Sequence, residues 1–125
     1  PHALDGLRLP YVSLGTISDP AALRELYSRA SAVLSSSLYE TLPGTLIEGQ
    51  AAGAFPVSFG EGGQPDIITH GRTGYIARYL DTADLAEGLR VALSQPVPRE
   101  VLRESVAARF SAEAVAGRYL SLIGR

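Results

Sequence analysis

The sequence contains no cysteine, no methionine and no lysine. Without cysteine there can be no disulfide, thiolate metal site or cysteine nucleophile, and this usage fits a cytoplasmic protein. All eleven basic side chains are arginines, so any chemistry that needs an ammonium group must be supplied from outside this sequence. The chain opens at Pro1 with no initiator methionine, as expected of a domain cut from a longer protein. No apolar run approaches the roughly 20 residues that span a bilayer, and no signal-peptide pattern opens the chain. A formal net charge of -2 argues against a platform for nucleic acid or anionic lipid. Metal-ligand spacing, a Walker P-loop and a GxGxxG fingerprint are also missing, which disfavours metallohydrolase, kinase and dinucleotide-dehydrogenase chemistry.

What is present describes one folded domain. A chain of 125 residues holds a single core, and 46% hydrophobic with 19% charged residues is ordinary for a globular protein. Residues 10–15 form a short apolar run ending in Gly15, read as a buried strand. Asp19 and Pro20 open a helix as N-cap and first helical residue, with Leu23, Leu26, Tyr27 and Ala30 on its apolar face. Residues 31–36 read as the next strand, 45–52 as a helix stopped by Gly53, and 55–59 as a further strand.

A glycine-rich loop at 60–65 leads to a helical turn at 66–69. A tight turn at 70–74 then enters a short strand at 75–78. Thr82 is read as the cap of a helix carrying Leu85, Leu89, Ala92 and Leu93, and residues 95–98 break it. Two more helices are expected at 100–108 and 112–123. Strands alternating with helices of this length predict an α/β domain, a partial Rossmann-like parallel sheet of four strands with flanking helices.

In such sheets ligands bind at the carboxyl ends of strands, where loops lead into helix N-termini. Two loops qualify. The first, at 35–48, holds Glu40 just past a strand and Glu48 in the following helix, with helix-start amides between them. Carboxylates accept from sugar hydroxyls, and amides at a helix start suit phosphate oxygens. The same residues have plainer readings. Thr45 and Glu48 match a capping box, and Glu40 fits a solvated loop carboxylate. In the second loop, Gly62 and Gly63 either bring backbone close to a ligand or simply turn the chain, and Asp66 suits a helix N-terminus. His70 reads as a turn residue rather than a base, and His2 is terminal and uninformative.

Taken in order, these pieces resemble one family. The run Glu-Thr-Leu-Pro-Gly-Thr-Leu-Ile-Glu at 40–48 places two glutamates with seven residues between them. Leu14 and Gly15, residues 23–27 and 30–37, Ala52 to Val57, Gly62, Gly63, Asp66 and residues 71–75 flank it in matching sequence. Over residues 11–95 the chain is similar to the C-terminal domain of family 4 glycosyltransferases, retaining enzymes of the GT-B fold. The resemblance implies that Glu40 contacts hydroxyls of the donor sugar near the reacting carbon and that Glu48 accepts from the ribose. It implies that amides of Thr41, Leu42, Gly44 and Thr45 hold the diphosphate around Pro43, which has no N–H to give, with Gly62 and Gly63 near the same cleft.

Several features depart from the family's usual pattern. Thr41, Leu42 and Pro43 stand where many members have Gly-Phe-Gly. Gly49 and Gln50 replace the usual Ala-Met, and Asp66 stands for glutamate. The family's basic pair for the diphosphate includes a lysine, which this chain lacks.

The resemblance further implies a hexosyltransferase of polysaccharide or glycolipid biosynthesis, cytoplasmic or membrane-peripheral, with no cofactor and no obligatory metal. Its partners would be a UDP- or GDP-sugar donor and an acceptor glycan or lipid. Residues 1–125 would be a single truncated donor-binding domain, inactive alone, whose N-terminal acceptor domain is absent and whose final helix packs across it. An exposed sheet edge would favour self-association of the isolated chain. Two rival functions retain the fold: a non-catalytic binding module, which turns over no sugar nucleotide, and an epimerase, which isomerises the donor without an acceptor.

Overall fold

The computed structural model describes Gly6 and residues 8–124 of the chain; His2 lies outside them. Three parallel strands form the sheet: β1 (Ala32–Ser35), β2 (Phe55–Phe59) and β3 (Tyr75–Ala77), in the order β1-β2-β3. Ser35 pairs with Ser58 and Phe59 with Ala77, so the strands end nearly level and their carboxyl ends open on one side. Among the described residues the sheet is joined by six helices: α1 (Pro20–Arg29), α2 (Gly44–Ala51), α3 (Gln64–Ile67), α4 (Thr82–Ser94), α5 (Arg99–Phe110) and α6 (Ala112–Ile123).

The central strand explains the layering. Every residue of β2 is buried, as a parallel strand covered on both faces requires. Alternation sends Phe55, Val57 and Phe59 to one face, where they meet Ala77, Leu85, Ala92 and Leu102. On the other face Val33 joins Leu46, Ala54, Ile67 and Ile68, with Tyr27 and Phe110 packed against them. The domain is therefore an α/β/α sandwich, with the α2 and α3 loops at the strands' carboxyl ends.

The predicted fourth strand does not form. Residues 10–15 carry no strand pairing among the described residues, and Val12 and Leu14 are exposed. An apolar run becomes a strand only when a neighbouring edge accepts its ladder, and this one lies beside α1 and β1 without pairing. Several boundaries also shift by one or two residues. The third helical turn begins at Gln64 rather than Asp66, and α5 runs two residues further than expected. The N-cap of α4 is Asp81, whose side chain accepts from the Asp84 amide at 2.9 Å, because Thr82 already lies inside the helix. Helix α1 starts as expected at Asp19 and Pro20, yet none of its residues is fully buried and Leu26 stays exposed.

A polar clasp ties β3 to α4. The Tyr75 hydroxyl donates to Asp84 Oδ1 at 2.6 Å, and the Arg78 amide donates to Oδ2 at 2.8 Å. The Tyr75 bond, then the Arg78 amide, hold the Asp84 carboxyl below its ordinary value of 3.8. A carboxylate depressed in the folded state contributes stability above its unfolded value, lost as pH falls through the lower folded one. Thermal melts from about pH 7 down to about pH 2 should therefore show an acid loss that Asp84→Asn diminishes. Parallel acid loss in both proteins would contradict this.

Candidate functional site

At the carboxyl end of β1 the chain leaves the sheet through Ser35, Ser36 and Ser37 and reaches Glu40 before α2 begins. These residues, with Leu34, Pro43, Gly44, Thr45 and Glu48, line a cleft of about 590 Å³. Both charged side chains that line it are carboxylates. Glu40 is half-buried and its Oε1 accepts from the Ser37 hydroxyl at 3.0 Å, whereas Glu48 is exposed. A larger groove of about 820 Å³ lies between Val12, Leu14, α1 and β1, but its walls are mostly apolar and offer no comparable set of hydroxyls and carboxylates.

The start of α2 corrects the capping-box reading. Pro43 is the N-cap and makes no side-chain cap bond, so Thr45 is the second helical residue and Glu48 the fifth. A reciprocal box needs the hydroxyl at the cap and the carboxylate at the third position, so neither residue has that role. The amides of Leu46 and Ile47 turn back to the Pro43 carbonyl at 3.2 and 3.3 Å. Among the described residues nothing accepts from the amides of Gly44 and Thr45, which are left at the positive end of the helix. The Glu48 carboxylate folds over this first turn: a Cβ at Gly44 would sit 3.8 Å from its Oε1.

The other sequence candidates take different places. Thr41 and Leu42 are exposed on the loop between Glu40 and the cap, outside the cleft lining. Gly62 and Gly63 also do not line the cleft; they lie against its outer wall, where Gly62 bridges Glu40 and the Gly63 amide donates to the Glu40 carbonyl at 2.7 Å. His70 is a turn residue, as expected: its Nδ1 accepts from the Ile76 amide at 2.9 Å.

Two neighbours of the site were not legible. Ser37, the donor to Glu40, is one hydroxyl in a run of three, and spacing alone does not say which of them turns inward. Tyr27, read only as part of the apolar face of α1, reaches Thr45 and Glu48. Burial, and then the Glu48 charge, push its phenol up against the opposing effect of a hydrogen bond with Thr45.

Beneath the cleft, α2 lies very close to β1. A Cβ at Gly49 would come within 2.6 Å of Val33 Cγ1, which accounts for glycine in place of alanine. Gln50, next to it, is fully buried and donates to the Ser105 hydroxyl at 2.7 Å, joining α2 to α5.

The description "Glycosyl transferases group 1" matches this chain over residues 12–109. The chain belongs to that family. The two-glutamate loop, the helix start and the glycine loop all fall inside the matched region, and the parallel sheet flanked by helices agrees with the Rossmann-like expectation. The glycosyltransferase chain is also 30% identical over 99 residues to an N-acetyl-alpha-D-glucosaminyl L-malate synthase of Bacillus anthracis. That similarity covers 76% of this chain and 26% of the relative, so the chain spans about a quarter of that protein. No helix among the described residues is long and apolar enough to cross a membrane.

Proposed function

We propose that the intact protein transfers a sugar from a nucleotide-linked donor to an acceptor hydroxyl with retention, as family 4 enzymes do, and that this domain binds the donor. The observation that carries the reading is the pairing of Glu40 and Glu48 across one cleft at the start of α2. Glu40 takes the hydroxyls of the sugar, Glu48 those of the ribose, and the amides of Gly44 and Thr45 take diphosphate oxygens. As charge builds on the departing diphosphate, the fixed amide dipoles stabilise it without having to reorganise. The basic residues that complete this role come from the rest of the protein, as does the acceptor site. The family and the name of the Bacillus anthracis relative, which speaks of a glucosaminyl group and malate, support a sugar donor and a hydroxyl acceptor.

The test is a binding screen of UDP- and GDP-sugars against the intact protein, with Glu48→Ala alongside. One sugar nucleotide should bind, and the variant should bind it about tenfold or more weakly, since hydroxyl donors that lose a charged acceptor forfeit about 1.5–3 kcal/mol. Equal affinity in the two proteins would remove the ribose role from Glu48.

A further inference from the structure

We infer that Ser37, Gly62 and Gly63 are positioning residues that fix Glu40 from both ends, the hydroxyl acting on its carboxylate and the glycines on its backbone. The inference rests on the role proposed for Glu40. Its observations are geometric. The Ser37 hydroxyl donates to Glu40 Oε1 at 3.0 Å, and the Gly63 amide donates to the Glu40 carbonyl at 2.7 Å. Gly62 and Glu40 form a parallel bridge outside the named strands, so the two loops meet as short pieces of sheet.

The close approach requires glycine at both positions. A Cβ at Gly62 would sit 2.0 Å from the Glu40 carbonyl oxygen and 3.1 Å from its nitrogen. The φ of +86° at Gly62 independently disfavours any side chain there. A Cβ at Gly63 would sit 2.0 Å from the Thr41 carbonyl oxygen. Both obstacles are backbone atoms, which cannot swing aside as a side-chain tip can. A methyl at Gly63 therefore separates the loops by more than an ångström and carries Glu40 with them.

This differs from a ligand contact. Gly63 is buried and lines no part of the cleft, so its influence reaches the donor only through the residue it holds. Because α2 and its N-terminal amides stay seated on β1, grip on the nucleotide should survive while placement at the sugar is lost. Displacement by about 1 Å lowers rates by roughly tenfold to a hundredfold.

In the intact protein, kcat, KM and the affinity for the free nucleoside diphosphate would be compared for Gly63→Ala, Ser37→Ala, Ser37→Thr and Glu40→Ala, with amide hydrogen exchange at residue 63 followed in each. The expected result is a roughly tenfold or greater fall in kcat for Gly63→Ala and Ser37→Ala, with nucleotide affinity within about threefold. Ser37→Thr, which keeps the hydroxyl, should restore most of the rate. Adding Glu40→Ala to Gly63→Ala should lower the rate no further than Glu40→Ala does alone.

Loss of nucleotide affinity in step with kcat, or independent effects in the double variant, would overturn the inference. If Gly63→Ala does not fold, the serine pair decides: equal rates for Ser37→Ala and wild type would overturn the carboxylate contact. Failure of the underlying reading looks different, since Glu40→Ala would then turn over normally. Protection of the Gly63 amide would still test the clamp; rapid exchange there in the wild type would refute it.

Discussion

Glu40→Ala in the intact protein should lower turnover by about a thousandfold while leaving nucleotide affinity nearly unchanged. The asymmetry follows from where the side chain sits. Glu40 is half-buried at the strand end, on the loop before α2, and Ser37 holds its carboxylate at 3.0 Å. Glu48 lies further along, over the first turn of the helix, on the ribose side in the proposed reading. A contact that strengthens as the sugar distorts toward its transition state raises kcat, whereas one made equally to bound donor and transition state raises only affinity. Steady-state kinetics with the donor identified by the screen would measure the split. Normal turnover would remove Glu40 from the chemistry, and a large loss of affinity at unchanged kcat would make it a binding residue.

The largest effect on folding is expected at Leu46. It is fully buried and packs in the cluster of Val33, Ala54, Ile67 and Ile68, where α2 and the short α3 meet the sheet. Leu46→Ala removes apolar surface from a site whose neighbours lie on separate segments of the chain and cannot all close the gap. Such truncations destabilise by about 2–5 kcal/mol, a large part of the roughly 5–15 kcal/mol that holds a small domain folded. Urea unfolding monitored by circular dichroism would read this as a shift in midpoint at constant slope. A loss below about 1 kcal/mol would show that the cluster collapses around the gap.

How far the sequence foretells the structure depends on the kind of information each feature needs. Helix α1 was legible because Asp19 and Pro20 act locally, and β2 because a run of five apolar or small residues has nowhere to go but a covered sheet. The run from Ser35 to Glu48 falls on the cleft for a similar reason: the loop that lines it follows directly from a strand end. What failed needed a partner. Residues 10–15 have strand composition, yet a strand exists only with an edge to pair to. Thr45 and Glu48 have capping-box spacing, yet Pro43 had already taken the cap and moved the register by two. Tyr27 and Ser37 were missed because the direction of a side chain is set by the packing of distant segments. The approach of Gly62 and Gly63 to Glu40 and Thr41 likewise joins residues more than 20 positions apart.

The arginines of α5 show how the domain divides its labour along the strand axis. Arg99 donates to the Ala30 carbonyl at 2.9 Å and to the Ala52 carbonyl at 3.4 Å, and Arg103 also reaches Ala52, at 3.3 Å. These carbonyls end α1 and α2, just before β1 and β2 begin, so the guanidinium groups fasten the edge of the sheet opposite the cleft. A planar fork with several donors can hold two helix ends at once, which a single ammonium does less well. The foot of the domain is thus stitched by charge while its mouth is shaped by loops. Loop residues at the mouth can therefore change without loosening the foot, whose carbonyls are held by a separate helix.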